Sequence, residues 1–375
     1  MKPVVIAIDP FKGCLPSVEA GKAAAEGIRS VYPECEVICL PIADGGEGML
    51  DVLIMATNGQ EVPISAHDPL MRWRNTYYGI SENGETAFIE MASISGLPLV
   101  PPERRNPMLT TTYGTGEIIR DALERGCRNF IIGIGGSATN DAGLGMLQAL
   151  GFRFSDKEGK EVGTGRGEVL IKVAHIDSTC VHPALNSCRF TVACDVQNPF
   201  YGPEGAAYVF APQKGADREM VEALDAGLQN FAEVIRHTTG KDISHHPGAG
   251  AAGGMGGSLL AFLNAELKPG IQLMLEALDF SNKIKSADLI ITGEGKADRQ
   301  TLMGKVPSGI LAEARKQNIP VILLAGNIED SDELQQAGFE GVFSVNPPFI
   351  SLEEAMRPEV ACKNIQQTVE SICKK

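Results

Sequence analysis

The chain has 375 residues, a formal net charge of −14 at pH 7 and 43% hydrophobic residues. This length allows two or three domains with buried cores, and the negative charge argues against binding of nucleic acid through a basic surface. Glycine accounts for 42 residues and aromatic residues for only 6%, which favours glycine-rich ligand loops over base-stacking surfaces.

Strand and helix patterns alternate in the first sixty residues and again in the last ninety. The predicted strands of these two segments are 4–8, 36–41, 287–292, 320–325 and 342–345. The predicted helices are 17–30, 49–56, 307–317, 334–338 and 363–373. Such alternation predicts a parallel, doubly wound sheet.

Between these segments the pattern changes. Residues 72–80, a candidate edge strand, and residues 86–91 predict a hairpin, with Asn83-Gly84 as its turn signal. Further strands are predicted at 130–134, 190–193 and 206–210, and helices at 115–125, up to Leu150, and at 218–238. The change of pattern predicts an inserted α/β domain, residues 63–282, that splits a first domain of residues 1–62 and 283–375.

Cysteine usage predicts a cytoplasmic protein. The nine cysteines are scattered, form no CxxC motif and have no histidines at metal-site spacing, which argues against disulfides and structural zinc. The apolar run before Asp9 is too short for a signal peptide. Segment 243–265 carries no Lys, Arg, Asp or Glu but contains Pro247 and six glycines between 248 and 257, so we expect a loop and a short helix rather than a membrane span.

Two polar loops follow the first two predicted strands. Asp9 and Lys12 come at the end of the first strand, where open α/β sheets bind ligands; alternatively, Asp9 caps the next helix and Lys12 is solvated. The segment Asp44-Gly45-Gly46-Glu47-Gly48 offers two carboxylates for Mg²⁺ among glycines that permit close approach. An ordinary helix entry, capped by Asp44, is the alternative.

A third loop, residues 133–143, follows a predicted strand and opens a helix. Its residues Gly133, Gly135 and Ala138 match the G-x-G-x-x-A form of the dinucleotide fingerprint. The run from Ser137 to Asp141 is unusually polar for that fingerprint and better suited to a small hydroxylated acid or a phosphate. A purely structural turn is the third reading of this loop.

Further candidate residues lie in later loops. Asp195 ends a predicted strand, where a carboxylate can accept a proton from a substrate hydroxyl. Glycine loops occur at 248–254 and 293–304, the latter including Gly304-Lys305. The second G-x-G-x-x-G match, in 248–253, has no preceding strand and is discounted. The chain contains no Walker A, protein-kinase, G-x-S-x-G or H-E-x-x-H motif.

Taken together, these motifs resemble those of the bacterial type-1 glycerate kinase family. The matching segments are Asp9-x-Phe11-Lys12-Gly13, 41–48, 135–141, Asp195-x-x-Asn198-Pro199, 212–216, 248–254, 292–301 and Gly304-Lys305 with Pro307. They run in order from residue 9 to residue 307 and so cover nearly the whole chain. This number of segments in register makes the resemblance specific.

The resemblance implies ATP-dependent phosphorylation of D-glycerate to 2-phosphoglycerate or 3-phosphoglycerate, with Mg²⁺. It also implies a split, Rossmann-like domain, an inserted α/β domain and an active site in the cleft between them. Partners would be these small molecules rather than nucleic acid or a membrane, and the oligomeric state stays open.

For a kinase, phosphoryl transfer requires positioning and charge neutralisation. Lys12 and Lys305 would neutralise the transferred phosphoryl group and the substrate carboxylate, Asp195 would orient and deprotonate the hydroxyl, and Asp44, Glu47 and Glu294 would hold Mg²⁺. Candidate substrate and phosphate contacts are Asp9, Gly135, Gly136, Ser137, Thr139, Asn140, Asp141, Asn198, Lys214, Gly250, Gly253, Gly254, Gly293, Asp298, Gln300 and Thr301.

Two alternative functions use the same loops. A nicotinamide-dependent hydroxyacid oxidoreductase would rest on the 133–138 fingerprint and would need an acid about 20 residues later, such as Asp156. A non-catalytic protein that binds phosphorylated metabolites is the other. Release of ADP that depends on ATP and glycerate would distinguish the kinase from both.

Overall fold

The computed structural model describes residues 3–46 and 48–374 and divides the chain into two compact units. The first unit consists of Met1–Val52 and Ile271–Lys375, and the second of Leu53–Gly270. The domain boundaries predicted from sequence, after residues 62 and 282, come ten and twelve residues later than these divisions. The predicted cleft location of the active site stays a prediction.

The strands, numbered in chain order, are β1 (Val4–Ile8), β2 (Val37–Cys39), β3 (Gln60–His67), β4 (Trp73–Ile80), β5 (Thr86–Glu90), β6 (Asn129–Gly133), β7 (Arg153–Ser155), β8 (His175–Asp177), β9 (Arg189–Ala193), β10 (Glu266–Lys268), β11 (Leu289–Ala297), β12 (Val321–Ile328) and β13 (Gly341–Ser344).

The α-helices are α1 (Ser17–Val31), α2 (Met49–Ala56), α3 (Ala92–Ser95), α4 (Tyr113–Glu124), α5 (Leu144–Ala149), α6 (Ala206–Phe210), α7 (Arg218–Thr239), α8 (Met255–Phe262), α9 (Gly270–Ala277), α10 (Phe280–Lys283), α11 (Val306–Arg315), α12 (Ser331–Gln336), α13 (Leu352–Ala355) and α14 (Pro358–Cys373). Short 3₁₀ turns, including Arg299–Leu302, lie between them.

The first unit is built on a parallel sheet with the strand order β13-β12-β11-β1-β2. All five residues of β1 are buried, as expected for a central parallel strand covered on both faces. The chain runs outward from β1 to β2 on one side and from β11 to β12 and β13 on the other. The strand order therefore reverses between β1 and β11, the kind of point at which open α/β sheets bind ligands.

Helices α1 and α14 pack closely in this unit. At Gly27 of α1, a Cβ atom would lie 2.5 Å from the backbone oxygen of Gln366 in α14. Glycine at this position therefore allows the two helices to approach each other.

The second unit contains a six-stranded mixed sheet with the order β10-β9-β6-β5-β4-β3. The pairs from β10 to β5 are parallel, and β4 pairs antiparallel with both β5 and β3. Phe130 and Phe190 stack across β6 and β9 with ring centroids 4.6 Å apart. Strands β7 and β8 form a separate antiparallel pair. The predicted α/β class with mainly parallel sheets is confirmed.

Three local predictions are wrong. Residues 206–210 form helix α6 rather than a strand: Ala206 and Ala207 are buried whereas Tyr208 and Val209 are exposed, a helical pattern that the β-forming Tyr-Val pair conceals. Strand β4 is internal, because β3, which the sequence did not reveal, pairs along its outer edge. Gly293 and Glu294 belong to β11, which continues to Ala297.

Among the described residues, no helix is both long enough and apolar enough to cross a membrane.

Candidate functional site

The first unit has a cluster of charged side chains where β1 and β11 end. Asp9 directly follows β1, and its backbone N–H donates to the Gly293 carbonyl of β11 at 2.9 Å. The Ser17 hydroxyl donates to the Ile8 carbonyl at 2.6 Å and accepts from the Ile42 N–H at 2.9 Å. These bonds connect the end of β1 to the segment that leads into Asp44, so Asp9 is held on a fixed backbone.

Asp9 is a buried carboxylate of this cluster, and one of its oxygens lacks a hydrogen-bond partner within the described part of the chain. It is 6% exposed, and its Oδ1 accepts no hydrogen bond from the described residues. Burial, then the charges of Asp44 and Glu294, raise the pKa of Asp9 to about 8, against the lowering influence of Lys12 and Lys305. A buried, incompletely bonded carboxylate is costly, so its presence points to a ligand that supplies positive charge.

Lys12 lies on a tight turn beside this carboxylate. Backbone hydrogen bonds of 2.9 Å in both directions between Phe11 and Leu15 close the turn, and Gly13 takes the left-handed conformation it requires, with φ +74°. The Lys12 Nζ lies 2.7 Å from Asp44 Oδ2. The Lys12 side chain is 56% exposed, so its ammonium group remains accessible to an anion.

Glu294, in β11, and Lys305, before α11, complete the cluster. Glu294 is 5% exposed; its Oε1 accepts from the Thr301 hydroxyl at 2.5 Å, and its Oε2 lies 3.8 Å from Lys305 Nζ. Burial raises the pKa of Glu294, opposed by the Thr301 hydrogen bond and by Lys305. Lys305 is the N-cap residue of α11 and is 37% exposed.

A capped 3₁₀ turn, Arg299–Leu302, positions Thr301. Asp298 Oδ1 accepts from the Gln300 N–H at 2.8 Å, and Thr301 Oγ1 accepts from the Asp298 N–H at 2.9 Å. Asp298 and Thr301 thus form a capping box. Through Thr301 this box supports Glu294, and direct contact of Asp298 and Thr301 with the substrate stays a prediction.

In the second unit, the predicted glycine loop after β6 surrounds a buried lysine. Lys214 is 2% exposed and donates to Ser137 Oγ at 2.9 Å and to the Thr139 carbonyl at 2.6 Å. Burial lowers the pKa of Lys214 to about 7, against the opposing charge of Asp141. Lys214 therefore holds the loop from inside.

Asp141 is fully buried and well bonded. It accepts from the Thr112 N–H and hydroxyl, both at 2.8 Å, and from the Gly143 and Gly145 N–H groups at 3.2 Å. Burial raises its pKa, opposed by the Thr112 bonds. The sequence analysis did not identify Thr112 as a functional residue. The three consecutive threonines at 110–112, directly before a helix, could have indicated it.

The 248–254 loop packs against two other predicted loops. The Ala142 N–H donates to the Gly253 carbonyl at 3.0 Å, and the Gly250 N–H donates to the Asn198 carbonyl at 3.0 Å. Gly253 has φ +67°, and a Cβ there would lie 2.0 Å from the Thr139 oxygen. The structure therefore brings these candidate residues together within the second unit.

The beginning of the loop after β6 is not packed against the other loops in this way. At Gly135 the φ angle is not in the left-handed range, and a Cβ atom would meet nothing within 4 Å. Neighbouring Gly136 has φ +72°. An open glycine at a strand end allows a ligand to approach the backbone, so the 135–137 segment can offer N–H groups to an anion. The Thr139 Oγ1 and Asn140 Oδ1 atoms are buried and have no hydrogen-bond partner among the described residues.

Asp195 lies at the end of β9, as predicted, and is exposed. Its Oδ1 accepts from the Gly270 N–H, at the start of α9, at 2.8 Å. It therefore has a structural role as well as the predicted role of proton acceptor, which stays a prediction.

The described residues contain no group of three His, Cys, Asp or Glu side chains that could enclose a metal ion. Mg²⁺ usually keeps several waters and takes only one or two protein carboxylates together with substrate phosphates. The unbonded Asp9 Oδ1, close to Asp44 and Glu294, fits such partial coordination. Glu47, also predicted as a ligand, lies outside the described residues.

A parallel α/β sheet with lysine–carboxylate pairs at its switch point is an arrangement that suits phosphoryl transfer. The model of the glycerate kinase family matches residues 4–375. A glycerate kinase from Bacillus subtilis strain 168 is 45% identical over 98% of this chain and 96% of its own. A glycerate 2-kinase from Escherichia coli K12 is 47% identical over 94% and 93%.

A crystal structure described as a glycerate kinase 2 of Salmonella typhimurium LT2 matches with a TM-score of 0.90 and 44% identity, covering 99% of this chain and 97% of that one. The chain therefore belongs to the glycerate kinase family and is a kinase, a phosphotransferase with an alcohol group as acceptor. Membership of this family supports neither the oxidoreductase nor the non-catalytic interpretation.

Proposed function

We propose that this enzyme is a type-1 glycerate kinase that transfers the terminal phosphoryl group of ATP to the 2-hydroxyl of D-glycerate, with Mg²⁺. The observation that carries this proposal is the cluster of Lys12, Lys305, Asp9, Asp44 and Glu294 at the switch point of the first unit. Phosphoryl transfer needs positive charge around the transferred group and carboxylates for its metal ion, and this cluster offers both.

The two lysines would act as electrostatic groups. Both lysine side chains are partly exposed, and their ammonium groups lie near carboxylates, so they can exchange those partners for phosphate oxygens without a large conformational change. Stabilisation of charge that develops in the transition state is the largest contribution that such groups make.

Asp9, Asp44 and Glu294 would hold Mg²⁺, mostly through water. When bound, the ion neutralises and orients the phosphates of the nucleotide. Asp9 was predicted as a substrate contact, but a carboxylate repels phosphate, and its buried, unbonded oxygen suits a cation. Thr301 fixes the rotamer of Glu294 through its hydrogen bond.

The second unit would bind glycerate. Backbone N–H groups of the 135–137 segment would face the carboxylate or a phosphate oxygen, and Asp195 would accept the proton of the attacking hydroxyl. Lys214 and Asp141, predicted as contacts, would instead position this segment, because both are buried and bonded to the loops themselves.

The choice of the 2-hydroxyl rests on the E. coli relative, whose name specifies a 2-kinase. A reaction of purified enzyme with ATP, Mg²⁺ and D-glycerate, followed by ³¹P NMR, tests both the activity and the position. We expect ADP and 2-phosphoglycerate. Formation of 3-phosphoglycerate would contradict the regiochemistry, and absence of ADP would contradict the activity.

The same proposal includes a cytoplasmic location. All nine cysteines are free thiols, as is typical of proteins in a reducing compartment.

A further inference from the structure

The first unit contains a cavity of about 430 Å³ next to the lysine–carboxylate cluster. It opens at the carboxyl ends of four strands: Lys12 follows β1, Gly295 lies in β11, Gly326 in β12 and Ser344 in β13. Its volume falls within the range of small-molecule sites. The function proposed above uses only the β1–β11 end of this space.

We propose that this cavity is the nucleoside subsite of the enzyme, in which a purine base and its ribose lie toward β12 and β13. This inference rests on the proposed ATP dependence. Since Lys12 belongs to both the cavity lining and the charged cluster, a nucleotide whose base occupied the cavity would direct its phosphates toward Lys12 and Lys305. The two lysines, together with a Mg²⁺ ion held by the neighbouring carboxylates, would match the negative charge of those phosphates.

The walls have the chemistry that a planar base requires. Ile350, Leu352 and Met356 form an apolar side, and Leu352 is 79% exposed and Met356 39% exposed. Covering large apolar side chains that are this exposed at a cavity with an apolar ligand lowers the free energy. The polar residues Asn327 and Ser344, near the ends of β12 and β13, also line the cavity and can orient the base edge.

Asn346 fixes the shape of this polar side rather than offering free groups. Its Nδ2 donates to the Gly326 carbonyl at 2.8 Å, and its Oδ1 accepts from Asn364 Nδ2 at 3.2 Å. The loop that follows β13 is thereby fastened to β12 and to α14. A cavity whose rim is fastened in this way is preformed.

Two glycines of the lining differ in what they permit. At Gly326 a Cβ atom would lie 2.8 Å from the Gly295 oxygen, so packing of the two strands requires glycine. At Gly295 the nearest atoms would be 3.8 Å and 3.9 Å away, in Phe11 and Lys12, and the φ angle is not left-handed. Neither packing nor backbone conformation requires glycine at 295, whereas the close approach of a ligand to the strand does.

Phe349 adds a second independent observation. It lies between the lining residues Pro348 and Ile350, is fully exposed at 105% and has φ +70°. A bulky side chain in the left-handed region is strained, and such strain collects at ligand-binding segments. Phe349 is not itself part of the lining, but its exposed ring on the lining segment is available to stack on the outer face of a bound base, since aromatic rings stack favourably on bases.

The test compares a nucleotide with its phosphates alone. Calorimetric titration of Mg·ADP and of Mg·tripolyphosphate would be performed on the wild type, Gly295→Val, Phe349→Ala and Leu352→Ala. We expect Gly295→Val to weaken ADP binding more than ~10-fold, and Phe349→Ala and Leu352→Ala to weaken it about 3- to 10-fold. Tripolyphosphate binding should change less than about 2-fold, because the phosphate end is untouched.

Ile171→Ala is the matched control, since Ile171 is an exposed aliphatic residue of the second unit outside this lining. It should leave ADP binding unchanged. Equal losses for ADP and tripolyphosphate, or unchanged ADP binding in all three variants, would overturn the nucleoside subsite even if the wild type phosphorylates glycerate. Failure of the wild type to use ATP would instead contradict the proposed function.

Discussion

The charged groups of the two units are held in opposite ways. In the first unit, Asp9 is buried with an unbonded oxygen, and the side chains of Lys12 and Lys305 are partly exposed. In the second, Lys214 and Asp141 are buried with their hydrogen bonds made inside the protein. Groups whose bonds are completed internally position a backbone, whereas a buried carboxylate with an unbonded oxygen, such as Asp9, is typical of a ligand site. From this comparison we predict that the first-unit cluster is reactive and that Lys214 and Asp141 form a scaffold.

The largest expected effect comes from Asp9→Asn, which should have opposite consequences for activity and stability. We expect kcat to fall about 10³-fold, because a charged group near the phosphates and their metal ion is lost. The first unit should become more stable at pH 8 by about 2 kcal/mol or more, because the buried charge disappears.

The pH dependence gives the sign of this stabilisation. The pKa of Asp9 is raised to about 8, so folded protein keeps a proton that unfolded protein loses near pH 4, and stability decreases as the pH rises from about 4 to about 8. Hydrogen exchange of the β1 and β11 amides, measured without metal or nucleotide, should show that the stability of the variant relative to the wild type increases from about pH 4 to about pH 8. Asp332→Asn, at an exposed site on α12, is the control; a stability gain at pH 4 equal to that at pH 8 would refute the argument.

Lys305→Met tests the exposed lysines of the same cluster. We expect kcat to fall on the order of 10²- to 10³-fold with little change in stability, because the side chain is 37% exposed and its distance to Glu294 is 3.8 Å. Lys316→Met, at the opposite end of α11, is the matched control. Steady-state kinetics would check both, and equal activity of the two variants would remove Lys305 from the mechanism.

Much of the first cluster could be predicted from sequence, because its residues follow apolar strands within a few positions. Asp9, Lys12 and Asp44 are examples: each lies just beyond a strand that a short apolar run reveals. The position of Glu294 within β11 was missed since Gly293 and Gly295 interrupt the apolar pattern, although the strand continues to Ala297.

The roles of residues in the second unit were harder to predict. Lys214 bonds to Ser137, 77 positions earlier in the chain, and a sequence pattern carries no information about such a pair. Lys214 and Asp141 are predicted as ligand contacts from their glycine-rich loops and from the family resemblance, neither of which shows that the two side chains are buried. A lysine looks the same in sequence whether it is buried or exposed, and only the fold decides which role it has.

Asp195→Asn asks whether the second unit contributes a reactive group as well as a scaffold. Asparagine can still accept the hydrogen bond from the Gly270 N–H, so stability should be unchanged while kcat falls about 10²-fold. Asp225→Asn, which retains an acceptor for the Gly202 N–H in the same way, is the control and should keep wild-type kcat. If Asp195→Asn also keeps it, this carboxylate is structural only.

The smallest expected effect is a change in the pH dependence of the unfolding free energy in Lys214→Met. Burial lowers the pKa of Lys214 to about 7, whereas an unfolded lysine keeps its proton up to its ordinary pKa near 10.4. Unfolded protein therefore binds more protons than folded protein between these values, and wild-type stability should rise with pH by about 1 kcal/mol per pH unit from this group. The variant should lack that contribution, even if loss of the bond to the Thr139 carbonyl lowers its stability at every pH.

The chain's single tryptophan, Trp73, lies on β4 and so reports unfolding of the second unit. Urea titrations followed by its fluorescence at pH 7.5, 8.5 and 9.5 would measure the slope in both proteins. Parallel slopes would mean that Lys214 keeps its charge when buried. A charged Lys214 that donates only to Ser137 and to a carbonyl could donate a further hydrogen bond to an anion. In that case the second unit would be reactive as well, and the division between reactive cluster and scaffold would have to be abandoned.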